Sequence, residues 1–350
     1  MRDVAVVGFA QSPQVRRTDG TTNGVEMLIP IFAEVYEKLG ITKNDIGFWC
    51  SGSSDYLAGR AFSFISAIDA IGPVPPINES HVEADGAWAL YEAWCKIQTG
   101  DVDTALIYGF GKSSAGNLPR TMALQLDPYT LAPLLPDSVA VAGLQARLGI
   151  DAGLWSEAGM AEVAVRSRRD ALNNPHAQLT GSKDAADLLT EEYLANPLRR
   201  HDVAPITDGA AVIVLAAEDR ARELSSNPAW ITGLDHRIDS AHLGGRDLTT
   251  SPSTIAAARA AGIDGVEVAE LYTPFTHQEL LLRRDLDLGD NVTITPSGGA
   301  LAGNPMFATG LVRIGEAAAR IADGTAGKVM AHSTSGPALQ HNLVCVMEAK

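Results

Sequence analysis

Three short stretches of the chain concentrate side chains that could do chemistry. The first is Thr295-Pro-Ser-Gly-Gly-Ala-Leu-Ala-Gly-Asn-Pro-Met-Phe-Ala-Thr-Gly310. Gly298, Gly299 and Gly303 would let backbone approach a ligand, and Asn304-Pro305 reads as the opening of an Ala-rich helix, with proline at the first helical position. A helix N-terminus offers unpaired N–H groups and partial positive charge, so Asn304 beside it could hydrogen-bond a developing oxyanion. As an N-cap, the same residue would only satisfy the helix. The second stretch is Glu270-Leu-Tyr-Thr-Pro-Phe-Thr-His277-Gln-Glu279, where a strand passes into a helix, the ligand-binding edge of an open α/β sheet. Tyr272 could exchange a proton with a substrate hydroxyl if its pKa of about 10 were lowered, or if a hydrogen-bonded partner relayed the proton. Otherwise its ring packs in the core and its hydroxyl finds a carbonyl. His277 reads as a surface residue at a helix start. The third stretch, His81-Val-Glu83-Ala-Asp85-Gly, places three ionisable groups close enough to perturb one another, with Asp85 also suited to capping a helix.

The elements that must hold these residues alternate. Short apolar runs at 4–9, 46–50, 104–108 and 210–216 read as buried strands, and amphipathic segments at 23–39, 60–71 and 85–99 as helices. The second half repeats the theme, with strands at 229–233, 266–271, 292–295, 328–331 and 343–348 and helices at 253–261, 277–285 and 305–322. Such alternation predicts an α/β fold with parallel pairing. Residues 118–204 interrupt the rhythm: they are polar and rich in Arg, Asn and Pro, with one clear helix at 156–173, as in an insertion that builds a binding surface. The expected organisation is a first half of 1–117 with 205–222, an insertion of 118–204 and a second half of 223–350.

Composition narrows the classes. A net charge of −15 argues against nucleic-acid and anionic-membrane partners, which reward clustered Lys and Arg. The start Met1-Arg2-Asp3 enters a Val-rich strand at once, and no run of about 20 apolar residues is present, so a cytoplasmic location with reduced thiols is expected. Cys50, Cys95 and Cys345 are scattered and form neither a metal spacing nor a disulfide framework. No metal or cofactor is expected.

Taken together and in order, the motifs resemble the sterol-carrier-protein type thiolases over almost the whole chain. Pro205-Ile-Thr-Asp208-Gly-Ala-Ala211 resembles the strand entry after that family's loop domain. Glu270-Leu-Tyr-Thr-Pro-Phe275 resembles Glu-Leu-His-Asp-Cys-Phe, and Pro296-Ser-Gly-Gly299 with Gly303-Asn304-Pro305 resembles Pro-Ser-Gly-Gly and Gly-His-Pro. Ala338-Leu-Gln-His-Asn-Leu343 resembles the C-terminal segment. The resemblance implies the thiolase fold, two similar mixed-sheet α/β halves in five αβαβα layers with a loop-domain insertion.

The departures carry the functional content. Counted back from Gly109-Phe110, the family's nucleophilic cysteine falls on Glu83; its acid/base cysteine is Pro274, and its two histidines are Tyr272 and Asn304. A carboxylate, a proline and an asparagine cannot run acyl transfer through a thioester intermediate, which needs a thiolate. This pattern is similar to the lipid-transfer-protein aldolases of steroid catabolism. It implies retro-aldol cleavage of a β-hydroxyacyl-CoA side chain, with a CoA thioester as substrate and a small OB-fold, zinc-ribbon protein as partner. In that reading Tyr272 is the base, Asn304 holds the thioester oxygen, and Glu83 tunes Tyr272 or reprotonates the enolate. His341 and His332 are further candidates, and Arg199 and Arg200 would meet CoA. A homodimer, or a heterodimer with a thiolase-like paralogue, is expected, built on 77–83 and the helix after Asp85. A non-catalytic subunit and an acyl-CoA or lipid-binding module are the alternatives.

Overall fold

The computed structural model describes residues 1–19, 22–55, 62–74 and 78–350. In chain order its strands are β1 (Val4–Gln11), β2 (Phe48–Gly52), β3 (Glu79–Val82), β4 (Thr104–Lys112), β5 (Tyr193–Ala195), β6 (Leu198–Arg199), β7 (Asp208–Ala217), β8 (Ala229–Ile238), β9 (Val268–Leu271), β10 (Thr293–Ile294), β11 (Lys328–Ser335) and β12 (His341–Glu348). The longer helices are α1 (Gly24–Leu39), α2 (Ser63–Ile71), α3 (Gly86–Gln98), α4 (Ser138–Asp151), α5 (Glu157–Asp170), α6 (Pro252–Ala261), α7 (Thr276–Asp285) and α8 (Thr309–Ala322).

Two five-stranded halves share one topology. The first runs β3-β2-β4-β7-β1 and the second β10-β9-β11-β12-β8. In these orders the second strand, β2 or β9, pairs parallel to the first and third, and the remaining pairs are antiparallel. The halves join where Ala5 and Val6 of β1 face Trp230 and Ala229 of β8. The duplication is thus plain in strand order and polarity, where the sequence carries only a weak echo.

Side-chain alternation along the strands builds the layers. In β1, Val4 and Val6 face the central layer, while Ala5 and Val7 face the α1 side. The central layer is made by α3 and α8, whose Leu90, Ala93, Ile97, Leu311, Ile314 and Ile321 pack between the two halves of the sheet. Helix α1 covers the outer face of the first half, and α6 with α7 that of the second. This is the five-layer thiolase fold.

Some element bounds differ from expectation for local reasons. Residues 118–204 hold a second long helix, α4, hidden in sequence by valines and glycines that lower helix propensity; Asp137 caps it, accepting from Val139 N at 2.8 Å. The expected helix at 305–322 begins only at Thr309, because 305–308 form a turn in which Phe307 has φ 72°. Pro305 is therefore not its first residue. Position 60, the expected start of α2, and Ile77, in the expected dimer segment, lie outside the described residues; β3 itself is an outer strand of the sheet.

Candidate functional site

The equivalent helices α3 and α8 bring their N-termini to one carboxylate. Asp85 caps α3 by accepting from Ala87 N at 2.9 Å, and it also accepts from Gly310 N at 2.9 Å and Leu311 N at 3.1 Å in α8. Unpaired N–H groups and the helix dipoles favour an anion there. The approach is close enough to require glycine: a Cβ on Gly310 would stand 2.4 Å from Asp85 Oδ1 and 2.0 Å from Ser333 Oγ. Asp85 is buried, and burial pushes its carboxyl up to about 6, against the pull of the three N–H groups and Arg313.

The turn before α8 lies across the first half. Gly86 N donates to Phe307 O at 2.8 Å, and a Cβ on Gly109 or Gly111 of β4 would stand 2.6 Å from Phe307 O or 2.1 Å from Met306 O. Asn304 is fixed at its other end, its backbone N donating to Thr207 Oγ1 at 2.8 Å. Its side chain is not an N-cap: Oδ1 accepts from Thr309 Oγ1 at 2.8 Å. Tyr272 joins this pair from the end of β9. Its N–H donates to His332 O at 3.1 Å, continuing the ladder, and its hydroxyl comes under the influence of the Thr309 and Asn304 side chains. Tyr272 and Asn304 are only 5% and 7% exposed. Burial and the negative charge of Asp85 raise the Tyr272 hydroxyl above its ordinary value, despite those two side chains. The lowering that would make Tyr272 a ready base is absent; it is protonated at rest.

Beneath this cluster lies a buried ion pair. Glu270 accepts from Arg313 Nη1 at 2.7 Å, Ser297 Oγ at 2.7 Å and Ser297 N at 3.1 Å. With both partners buried, it locks β9, the 296–299 loop and α8 into one frame. Asp208 ties the loops of the first half, accepting from Thr18 Oγ1 at 2.8 Å and Ser114 Oγ at 2.7 Å.

The other sequence candidates fall elsewhere. The Glu83 side chain is 51% exposed and lies before the cap, where it accepts from Asp55 N at 3.1 Å and faces His81 Nε2 at 3.4 Å. The carboxylate whose charge acts on Tyr272 is that of Asp85, two residues on. Counting by motif points to Glu83, whose side chain turns to solvent before the helix begins. His341 Nε2 accepts from Trp88 Nε1 at 3.0 Å and faces His236 Nδ1 at 3.1 Å; burial and His236 push it down to about 4. His332 is buried against Asn342 Oδ1 at 3.0 Å and likewise pushed to about 4. His277 is buried rather than on the surface, and is pushed down to about 3.

The three glycines make room for the chain itself rather than for a ligand. A Cβ on Gly298 would meet Ala171 Cβ at 2.6 Å, one on Gly299 Thr295 Cγ2 at 2.5 Å, and one on Gly303 Gln14 Oε1 at 1.9 Å. Gly298 and Gly299 also have positive φ, 89° and 65°. Arg199 is buried and committed to Glu157, to Tyr193 Oη at 3.0 Å and to Glu191 O at 3.0 Å. Arg200 is exposed. Thr309 and Arg313 are not among the residues the sequence singles out, and Asp85 stands there in the third stretch with capping as its favoured role, which it fills.

No family model matches the sequence. It is 25% identical to an acetyl-CoA acetyltransferase of Methanothermobacter thermautotrophicus over 94% of this chain and 93% of that protein. It is 25% identical to human sterol carrier protein 2 over 77% of this chain and 56% of that longer protein. Among solved structures, the Ltp2-ChsH2(DUF35) aldolase superposes with a TM-score of 0.79 over 99% of this chain and 98% of that one, at 17% identity, a likeness of fold. The protein has the thiolase fold. In sequence it is similar to thiolase-type acetyltransferases and to sterol carrier protein 2.

Proposed function

We propose that this chain is a thiolase-fold lyase, or the lyase subunit of a complex, that cleaves a β-hydroxyacyl-CoA with a steroid side chain by a retro-aldol reaction. One observation carries the reading: the thiolase cysteine positions hold Glu83 and Pro274, and the two histidine positions hold Tyr272 and Asn304, which meet Thr309 where two helix N-termini converge. Cys50 and Cys345 are buried in strands and Cys95 is two turns into α3, so none supplies a thiolate at the helix start. Retro-aldol cleavage needs a proton acceptor for the β-hydroxyl and a donor for the thioester oxygen as the enolate forms, with no covalent intermediate. Tyr272 is the acceptor, and Asn304 with nearby N–H groups stabilises the oxygen. Because Tyr272 is protonated at rest, it accepts the substrate's proton only as its own moves on. The aldolase whose fold matches is named with a DUF35 protein. A small OB-fold, zinc-ribbon partner fits the same reading here, as does a dimer of this chain or with a thiolase-like paralogue.

The test is an assay with β-hydroxyacyl-CoA substrates, by the chain alone and with candidate partners, for a carbonyl product and a shortened acyl-CoA. Thiolytic cleavage of acetoacetyl-CoA, or an acyl adduct on any cysteine by mass spectrometry, would sink the reading. A second reading, a non-catalytic thiolase-like subunit or an acyl-CoA or lipid-binding protein, is favoured by the deep burial of Tyr272 and Asn304. It predicts no turnover by this chain in any complex, and turnover unchanged by substitutions at Tyr272.

A further inference from the structure

We propose that Asp85 is the positioning residue that governs the Tyr272 proton, taking it over while Tyr272 accepts the proton of the substrate's β-hydroxyl. The inference rests on the retro-aldol reading and supplies the second acceptor which that reading lacks.

A protonated tyrosine cannot accept a proton unless its own leaves in the same step. The neighbouring side chains of Thr309 and Asn304 cannot store one at neutral pH. Among the described residues, the charged groups acting on Tyr272 are Asp85 and Arg313, and a guanidinium accepts nothing. Asp85 remains, and its surroundings suit a carboxylate that gains and loses a proton. Three backbone N–H groups from two helices stabilise the anion, while burial favours the neutral acid and brings its ionisation to about 6. Arg313 of α8 and Tyr272 at the end of β9 are the ionisable groups that face it; β11 presents the neutral Ser333.

Ser333 is an independent sign that the space beside Asp85 is built for proton traffic. It is fully buried, and its hydroxyl has no hydrogen-bond partner. Both Ser333 Oγ and Asp85 Oδ1 lie within 2.4 Å of the point where a Cβ of Gly310 would stand. A hydroxyl can accept and donate at once, and Ser333 directly follows His332, whose carbonyl accepts from Tyr272 N, so it stands on the side of Asp85 where Tyr272 ends β9. The step balances. The β-hydroxyl proton passes to Tyr272 Oη and the tyrosine proton to Asp85. The Cα–Cβ bond breaks to leave a carbonyl and a thioester enolate. The proton then returns from Asp85 through Tyr272 to the enolate carbon.

Asp85→Asn keeps the side-chain shape and removes the charge. Two readouts separate this role from simple helix capping: kcat/KM against pH, and the ultraviolet tyrosinate titration of Tyr272, isolated by subtracting Tyr272→Phe. In the parent, kcat/KM falls below a pH of about 6, where Asp85 is already protonated. In D85N this limb disappears, turnover falls by about 10²–10⁴-fold, and Tyr272 ionises at lower pH than in the parent. Ser333→Ala lowers kcat with KM unchanged. A folded D85N with the parental pH profile and parental tyrosine titration overturns the proposal. Should no β-hydroxyacyl-CoA be cleaved by any preparation, the retro-aldol reading fails, and an unchanged tyrosine titration then overturns the Asp85 assignment separately. Where D85N does not fold, Asp85→Ser, which retains a capping hydroxyl, carries the same comparison.

Discussion

Helices α3 and α8 hold equivalent places in the two halves, yet the chain reaches them in opposite ways. The approach to α3, His81 to Ala84, is partly open to solvent, and among the described residues its side-chain polar contacts are those to Ser51 and Asp55 and the one between His81 and Glu83. The approach to α8, Thr295 to Ala308, is almost wholly buried, and Glu270, Thr207, Thr309 and three tight glycines fix it. In a duplicated fold, one copy can thus be rigidly preorganised while the other contributes a single carboxylate, Asp85. Preorganised groups of this kind lower a barrier without reorganising as the reaction proceeds.

The comparison is broken most directly at Tyr272. Removing its hydroxyl with Tyr272→Phe keeps the ring and the fold, and on the retro-aldol reading turnover falls by roughly 10²–10⁴, with substrate binding little changed. Asn304→Ala removes both the proposed oxyanion donor and the partner of Thr309 Oγ1. It should cost roughly 10²–10³ in kcat. Both are read as rate per folded molecule in the full complex. Parental turnover in both variants would make the chain a scaffold whose partner does the chemistry.

The frame beneath the site should fail by unfolding. Arg313→Ala leaves Glu270 as an unpaired buried charge, and breaking such a pair costs about 3–5 kcal/mol, so a large drop in chemical-denaturation midpoint is expected. Replacing the pair together by apolar residues of similar volume should cost much less. A single and a double variant of equal stability would show that the ion pair is not the frame.

Much of the fold was legible because buried strands announce themselves as short apolar runs, as at Val4–Gln11 and Asp208–Ala217. The site was legible only in part. Tyr272 and Asn304 were found through motif order, and the structure brings them together. Asp85 was read as a helix cap, which it is; that it also caps α8, more than 200 residues away, is a tertiary fact with no local signal. Arg199 stands in a polar segment like any ligand-binding arginine, and only the structure shows its guanidinium already engaged. Position 304 reads as a helix start because Asn-Pro usually is one; here the close approach to β4 forces a turn first.

A pH series tests the same burial from another side. His277 and His332 are buried and held neutral, with values pushed from the ordinary 6.5 to about 3 and about 4. The unfolded chain therefore binds protons that the native one refuses, and stability is lost as pH falls below 6.5 towards 4. Asp85 works the other way: its raised carboxyl value favours the fold as pH falls through about 6. His341 and His176 are held down in the same sense as these histidines, against the raised carboxyls of Asp85, Glu270 and Asp202, so the melting temperature should decline from pH 6.5 to 4.5. A flat profile over that range would mean that the histidines are hydrated.

The smallest effect is expected at Glu83, and it is the most informative about the two approaches. If the position aligned with a thiolase nucleophile kept a chemical role, Glu83→Gln would remove its charge and cost turnover on the scale of an acid–base group, roughly a hundredfold or more. The geometry argues otherwise. The carboxylate is half-exposed, its firm hydrogen bond comes from Asp55 N at 3.1 Å, and its contact with His81 is longer, 3.4 Å. Glutamine can still accept the first bond through its carbonyl oxygen, so only a weak, solvent-screened contact is lost. Changes of this kind fall within about 0.5 kcal/mol, and kcat/KM should stay within about twofold of the parent. Measured beside D85N in the same assay, the ratio of the two effects shows which carboxylate serves Tyr272. A large loss for E83Q with a small one for D85N would move the proton chemistry back to the exposed approach and reverse the contrast between the halves.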